Sequence, residues 1–150
     1  MHVQDLLDDK GGSVLSVRPD KTVTIAAAIM AKRRIGALVC RDKWGDVRGI
    51  ISERDIVRAT AEKPEAMTAL TVGDMMTHEV RTCAPGDTIT DVFNTMSNGH
   101  FRHMPVVDGD DLVGLVSATD ILRHLATKSN PVDAQRLLIA FVNNIAHPGM

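Results

Sequence analysis

The apolar positions in the second half of the chain predict two helices. After Thr88, apolar residues recur with the i, i+3, i+4, i+7 spacing of one helix face. These positions are Ile89, Val92, Phe93 and Met96. Gly99 is expected to end this helix, and Ser117 to begin a second one. The second helix is expected to bury Ile121, Leu122 and Leu125.

Short apolar runs around these helices have the length of strands. They lie at 80–83, 103–107 and 112–116, and the polar residues 108–111 would turn the last two into a hairpin. The first half of the chain repeats this order. Its elements are a strand at Val14–Val17, a helix from Thr22 to Arg34 with Ile25, Ala26, Ile29 and Met30 on one face, strands at Ala37–Cys40 and Val47–Ile51, and a helix from Ser52 to Glu62. The pattern predicts an α+β fold with two β-α-β-β-α repeats.

Two matched ten-residue segments support this repeat. Gly49–Arg58 reads GIISERDIVR and Gly114–Arg123 reads GLVSATDILR. Short leaders with similar apolar and acidic positions precede both copies, at 3–8 and 72–76. Units this small have little core of their own, so the copies are expected to bury faces against each other. We predict a leader at 1–13, a first repeat at 14–62, a linker with a short helix at 63–79, a second repeat at 80–127, and a C-terminal helix and tail at 128–150.

The composition narrows the class of protein. The 150 residues are 44% hydrophobic and 24% charged, which is typical of a globular chain. A net charge of −2 and 3% aromatic residues argue against nucleic acid as a partner. No apolar stretch or leader suggests membrane insertion or secretion, so we expect a cytoplasmic protein. Cys40 and Cys83 lie in apolar runs and are expected to be buried thiols.

The serine and aspartate of the repeated segment have two interpretations. Ser52 with Asp55, and Ser117 with Asp120, have the spacing of a capping box. A strand that runs into a helix also leaves N–H donors for a phosphate, and a carboxylate offers two acceptors for ribose hydroxyls. The glycine three residues before each serine would let a ligand approach closely. Both interpretations stay open, and we favour a role in ligand binding.

The element order and the GhhSxxDhh segment, in which h is an aliphatic residue and x is any residue, resemble the cystathionine-β-synthase (CBS) domain. The resemblance is to the tandem form of this domain, the Bateman module. The resemblance covers about residues 14–126. It implies a pseudo-twofold pair of repeats with two clefts between them, and a homodimer. It also implies binding of adenosine-containing ligands such as AMP, ATP, NAD(H) or S-adenosylmethionine, with no required cofactor.

The resemblance also assigns ligand-facing residues to the two clefts. One cleft would contain Ser52, Arg54, Asp55, Val80, Thr82, Arg102 and His103. The other would contain Ser117, Thr119, Asp120, Leu15, Gly36 and Ala37. The first cleft would hold phosphates through its arginines and histidine, whereas the second would be neutral. No catalytic motif or set of metal ligands is predicted.

We therefore expect a non-enzymatic regulatory module that senses AMP or ATP and signals to a protein partner. An NAD(H)-binding redox or energy sensor and a ligand-free oligomerisation scaffold are the alternatives. A final helix at 131–146 would either cover an end of the protein or form a dimer surface. Its apolar residues are Leu137, Leu138, Phe141, Val142 and Ile145. The ligand, the number of occupied clefts, the partner, and parallel or antiparallel dimerisation stay open.

Overall fold

The computed structural model describes residues 1–11, 13–128, 131–132, 134–136 and 138–139 of the chain. Its elements in chain order are α1 (Val3–Lys10), β1 (Ser16–Val17), α2 (Val23–Arg33), β2 (Ala37–Arg41), β3 (Val47–Ser52), α3 (Glu53–Glu62), a 3-10 turn (Pro64–Ala66), α4 (Val72–Met75), α5 (Ile89–Gly99), β4 (His103–Asp108), β5 (Asp111–Ser117) and α6 (Ala118–Lys128). This mixed α and β composition with two repeats confirms the predicted fold class.

The chain divides into two compact units. The repeat-1 unit is Val14–Val80, and the repeat-2 unit combines Met1–Ser13 with the chain from Arg81 onward. Each unit therefore contains one of the two matched segments. The start of the chain belongs to the unit that contains the second of them.

A three-stranded sheet in the order β1-β2-β3 forms the centre of the repeat-1 unit. β2 runs parallel to β1 and antiparallel to β3. The hydroxyl of Thr22 caps α2 by accepting a hydrogen bond from the Ile25 N–H at 3.3 Å. α2 buries Val23, Ala26 and Met30, which share one face at i, i+3, i+7. Ile25 was predicted on this face but is 45% exposed, because it lies about 100° around the helix from Ala26.

The repeat-2 unit is built on the antiparallel hairpin β4-β5 with α5 and α6. The predicted inner face of α5 is confirmed, since Ile89, Val92, Phe93 and Met96 are all buried. In α6, Ile121 and Leu125 are buried as predicted, whereas Leu122 is only half-buried.

The predicted strand at 80–83 is wrong. Only Cys83 pairs, as an isolated parallel bridge with Val106. Its N–H donates to the carbonyl of Pro105 at 3.0 Å, and its own carbonyl accepts from the Val107 N–H at 2.8 Å. Pro85 has no N–H with which to extend this ladder, and residues 81–82 are exposed. An apolar run of strand length was therefore insufficient to predict a strand.

α5 ends at Gly99, as predicted. The left-handed conformation falls on the next residue, His100, with φ 57°. A side chain on Gly99 would collide with the ring of Phe101. Arg34 ends α2 in the same way, with φ 55°. Gly99 therefore makes room for a neighbouring ring and is not needed for its backbone angle.

The two leader helices are exchanged between the repeats. α1 precedes the first repeat but packs in the repeat-2 unit, whereas α4 precedes the second repeat but packs in the repeat-1 unit. Each leader contributes three buried apolar side chains to the unit that it enters. These are Val3, Leu6 and Leu7 from α1, and Val72, Met75 and Met76 from α4 and its C-cap. Each repeat is therefore completed by the leader of the other one.

The motif glycines let these leaders pack closely. A Cβ on Gly49 would lie 2.7 Å from the Met76 Sδ and 2.7 Å from the carbonyl oxygen of Thr77. A Cβ on Gly114 would collide with the side chain of Leu7. The glycine was expected to give access to a ligand, but the space that it leaves is occupied by the leader of the other repeat.

The predicted C-terminal helix lies only partly within the described residues. Residues 131–132, 134–136 and 138–139 are helical, and Ala134 packs against the core of the repeat-2 unit. Leu138 is half exposed. Four of the predicted apolar positions lie outside the described residues: Leu137, Phe141, Val142 and Ile145. In the described part of the chain, no helix is long and apolar enough to span a bilayer.

Candidate functional site

Both motif serines stand where a strand runs directly into a helix. Ser52 ends β3 immediately before α3, and Ser117 ends β5 immediately before α6. Because no loop separates strand from helix, the first N–H groups of each helix lie at the edge of the sheet. We call Ser52–Asp55 the Asp55 edge and Ser117–Asp120 the Asp120 edge.

The Asp55 edge lies against the start of β2. Ser52 pairs with Ala37 in the β2-β3 ladder, and the Glu53 N–H donates to the carbonyl of Gly36 at 3.0 Å. Gly36 and Ala37 are the residues that the family resemblance groups with Asp120. The structure places them beside the serine of their own repeat, and the grouping across repeats stays a prediction.

Both carboxylate oxygens of Asp55 are engaged inside the repeat-1 unit. Oδ2 accepts from the Ser52 N–H at 2.9 Å and from the Ser52 hydroxyl at 3.1 Å. Oδ1 accepts from the Arg58 guanidinium at 3.2 Å, and Arg58 also donates to the carbonyl of Met75 at 3.3 Å. The side chain of Asp55 is 6% exposed. A capping box that also ties α3 to α4 explains these residues without a ligand.

The Asp120 edge begins with the same local structure. Ser117 lies opposite His103 in the β4-β5 ladder, and the Ala118 N–H donates to the carbonyl of Arg102 at 2.9 Å. The Ser117 N–H donates to Asp120 Oδ2 at 2.9 Å, and the Asp120 N–H donates to the Ser117 hydroxyl oxygen at 3.0 Å. The Asp120 side chain is 13% exposed, about twice the value for Asp55.

A cation from α1 joins the Asp120 edge. The Lys10 ammonium donates to Asp120 Oδ2 at 2.6 Å and to the carbonyl of Leu115 at 2.5 Å. Arg123 lies 3.7 Å from the other carboxylate oxygen, Oδ1. Lys10 was not among the residues predicted at this edge, which the sequence suggested would be neutral. The similarity of the two leaders was the available signal, but it does not say which repeat a leader joins.

These charges set the protonation states at the Asp120 edge. Burial opposes ionisation of Asp120, but the hydrogen bond and charge of Lys10, with both donors of Ser117, hold its pKa below the usual range. Burial lowers the pKa of His103 to about 4, and the charges of Lys10 and Arg102 add to this effect against the opposing charge of Asp120. His103 is therefore neutral at pH 7. Without a ligand, the ring is therefore uncharged, and the contact of His103 with a phosphate stays a prediction.

The remaining predicted site residues divide between the units. Arg54 and Thr119 are exposed in the first turns of α3 and α6, and Leu15 and Thr82 are exposed in extended segments. In the repeat-1 unit lie Leu15, Gly36, Ala37, Ser52, Arg54, Asp55 and Val80. In the repeat-2 unit lie Thr82, Arg102, His103, Ser117, Thr119 and Asp120.

The two cysteines carry no apparent chemistry. Cys40 and Cys83 are buried free thiols, as predicted. Burial raises the pKa of each to about 12, and the nearby charges of Asp55 and Asp87 act in the same direction. Neither thiol is ionised at neutral pH, so neither is a reactive nucleophile. Within the described ranges, no group of three or more His, Cys, Asp or Glu residues could hold a metal ion.

Comparison with known proteins shows the family. The sequence model of the CBS domain matches residues 4–62 and 72–127, and these two matches cover most of the chain. The chain therefore belongs to the CBS domain family and carries the domain as a pair. Both edges lie inside the matched segments, and a CBS pair of this kind is a regulatory module.

Three relatives illustrate this membership. An uncharacterized 17.7 kDa protein of Acidianus ambivalens is 35% identical over 113 residues, which are 75% of this chain and 67% of that protein. The CBS-domain protein ATU1752 of Agrobacterium tumefaciens superposes with a TM-score of 0.79 at 38% identity, over 81% of this chain and 91% of that chain. The CBS domain pair of protein MJ0100 was solved with 5-methylthioadenosine and S-adenosyl-L-methionine. It superposes with a TM-score of 0.77 at 28% identity, over 86% of this chain and 98% of that chain. The chain spans 43% to 67% of the length of three curated relatives.

Proposed function

We propose that this protein is a non-enzymatic regulatory module that binds an adenosine-containing ligand at the Asp120 edge. The supporting observation is that Asp120, the start of α6 and the Lys10 ammonium lie together in one unit. A carboxylate accepts hydrogen bonds from the two hydroxyls of a ribose. A helix start and a nearby cation favour phosphate. One edge therefore combines the groups that a ribose and a phosphate need.

The comparison with MJ0100 supports an adenosine ligand. That CBS pair was solved with methylthioadenosine and S-adenosylmethionine, and both molecules contain adenosine. The match to this chain covers 86% of its length. We favour AMP or ATP over these two ligands, because Lys10 and Arg102 bring positive charge to the Asp120 edge. NAD(H) carries the same adenosine phosphate group and is the alternative.

We assign a mainly structural role to the Asp55 edge. Both oxygens of Asp55 already accept hydrogen bonds from Ser52 and Arg58, and its side chain is almost fully buried. A ligand would have to replace bonds at either edge, but Arg58 lies 3.2 Å from Asp55, whereas Arg123 lies 3.7 Å from Asp120, and the Asp55 side chain is the more buried of the two. This proposal reverses the order expected from sequence, which gave the stronger phosphate binding to the cleft that contains Asp55.

Regulation would follow from a difference in ligand affinity between two conformations of the pair. We propose that the module acts on a protein partner and that it works as a homodimer. A ligand-free scaffold is the competing function, and the capping boxes at both edges favour it, because they satisfy Ser52, Asp55, Ser117 and Asp120 without a ligand.

A thermal-shift screen tests the proposal. Purified protein, freed of bound nucleotide, would be heated with AMP, ADP, ATP, NAD⁺, NADH, S-adenosylmethionine or methylthioadenosine. A ligand at about 100 times its dissociation constant should add about 2.7 kcal/mol, which raises the melting temperature by several degrees. A flat response to all seven ligands, from a folded sample, would favour the scaffold. Recovery of the bound ligand in altered form would contradict the non-enzymatic assignment.

A further inference from the structure

Lys10 occupies acceptors at the Asp120 edge that a ligand would need. Its ammonium bridges Asp120 Oδ2 and the carbonyl of Leu115, at 2.6 and 2.5 Å. The same Oδ2 also accepts from the Ser117 N–H at 2.9 Å. A ribose with two adjacent hydroxyls would bring two more donors to this carboxylate. Lys10 and a ribose therefore compete for Asp120.

The contact of Lys10 is separate from the packing that holds α1 in place. The buried side chains Val3, Leu6 and Leu7 fix α1 to the core of the repeat-2 unit. Lys10 is the last residue of this helix, and Gly11 follows it with φ 86°. The Lys10 side chain is 39% exposed, so its ammonium can leave Asp120 for solvent or for a ligand without the release of α1.

Among the contacts of the described residues, no leader supplies such a cation to the matching edge. Arg58 and Arg123 stand at equivalent positions of the two motifs, and each lies near Oδ1 of the aspartate in its own helix. The Oδ2 atom of Asp55 accepts from Ser52 alone among the contacts within the described residues. Lys10 is thus an addition to the Asp120 edge and not a general part of the capping structure.

We propose that Lys10 makes the Asp120 edge select phosphorylated over unphosphorylated adenosine ligands. This inference rests on the proposed function. A nucleoside that binds Asp120 must displace the ammonium and gives it no new anionic partner. A nucleotide displaces the same ammonium but offers its phosphate in exchange, so that the ion pair is replaced and not lost. Lys10 therefore lowers the affinity of the Asp120 edge for the nucleoside more than its affinity for the nucleotide.

Calorimetric titration with adenosine and AMP tests this selection. The variants are Lys10→Met, which keeps the apolar stem and removes the charge, and Lys10→Arg, which keeps the charge. Lys32→Met is the matched control, because Lys32 also lies in the last turn of a helix, α2. We expect adenosine to bind Lys10→Met about twofold to fivefold more tightly than it binds the wild type, the range for loss of a competing ion pair of up to about 1 kcal/mol.

AMP should bind Lys10→Met no more tightly than it binds the wild type, so the AMP-to-adenosine preference should fall. Lys10→Arg and Lys32→Met should keep the wild-type preference. Equal changes in both affinities, or weaker binding of adenosine, would overturn the role of Lys10 while leaving the proposed function in place. If neither ligand bound the wild type or Lys10→Met, both would be overturned. Thermal unfolding of each variant verifies that it is folded.

Discussion

The two edges share a serine, an aspartate and a strand that runs directly into a helix, but different groups hold the two carboxylates. Asp55 is fixed by Ser52 and by Arg58 from its own helix. Asp120 is held in addition by Lys10, which comes from a helix more than 100 residues away in sequence. The same motif is therefore held by residues of its own segment in one unit and, in the other, also by a cation from a distant helix. The residues that contact the motif from other parts of the chain therefore differ between its two copies.

The leaders show a parallel difference at the motif glycines. Beside Gly49 lies the backbone of Thr77, whose N–H and carbonyl both bond to Ile50, at 2.8 and 3.1 Å. Beside Gly114 lies the side chain of Leu7, which can change rotamer. The repeat-1 unit is therefore the more rigid of the two at this position.

The largest expected effect is a difference in stability between alanine variants of these two glycines. Gly49→Ala should destabilise the protein by about 2 to 3 kcal/mol, because the new methyl group meets the bridged backbone of Thr77, and Gly114→Ala by about 1 kcal/mol, because Leu7 can move. Urea unfolding of the variants measures both changes. Gly86→Ala is the control, since a Cβ there meets nothing within 4 Å. Equal losses at the two glycines would contradict the stated difference in rigidity.

The next largest effects are the changes in stability and in AMP binding when each of the two aspartates is replaced by alanine. Asp55→Ala should cost about 2 kcal/mol of stability, because it removes a cap, leaves the Ser52 N–H without an acceptor and takes the carboxylate partner from Arg58. Asp120→Ala should cost about 1 kcal/mol, since the half-exposed Lys10 can turn to water. Binding of AMP should show the reverse order, with about a tenfold loss in Asp120→Ala and little change in Asp55→Ala.

Urea unfolding of these variants measures the loss of stability, and calorimetric titration of the same samples measures the loss of AMP affinity. Asp110→Ala, in the exposed turn between β4 and β5, is the control for removal of a carboxylate. If Asp55→Ala lost AMP binding and Asp120→Ala kept it, the assignment of the two edges would have to be exchanged.

At pH 6, the smallest expected effect is a pH dependence at the Asp120 edge. The pKa of His103 falls from 6.5 to about 4 on folding, so the unfolded chain binds more protons between these values. Stability should therefore be nearly unaffected above about pH 7 and should fall as the pH drops toward 4, by about 0.8 kcal/mol at pH 6. His103→Gln should lose this part of the dependence, as followed by urea unfolding at several pH values. His78→Gln serves as the control on an exposed histidine. A slope between pH 7 and 5 that His103→Gln leaves unchanged would contradict the prediction.

Local sequence patterns predicted the parts of the fold that depend on local physics. The spacing of Ile89, Val92, Phe93 and Met96 predicted a buried face because a helix repeats every 3.6 residues. Ser52 and Thr22 predicted helix starts because their side chains accept from N–H groups three residues away. These interactions lie within a single turn, so the sequence contains all of their partners side by side.

The errors concern partners that are distant in sequence. Residues 80–83 have strand composition, but a ladder also requires a neighbour in register. The motif glycine was wrongly expected to give access to a ligand. The chain segment that fills its space belongs to the leader of the other repeat, which is distant in sequence. Lys10 was missed for the same reason, since Asp120 lies 110 residues further on. The family resemblance supplied the residue types at each edge but not this cation.

The exchange of leader helices makes the order of synthesis matter for folding. The repeat-1 unit is one continuous segment, Val14–Val80, so its core can close as soon as that segment has left the ribosome. The repeat-2 unit needs Val3, Leu6 and Leu7, which precede the first repeat in the chain but pack with β5 and α6, at the end of the second repeat. Closing so long a loop carries a larger entropic cost than closing a hairpin. The apolar face of α1 therefore stays without its packing partners until the second repeat has been made, so α1 is among the last elements to pack.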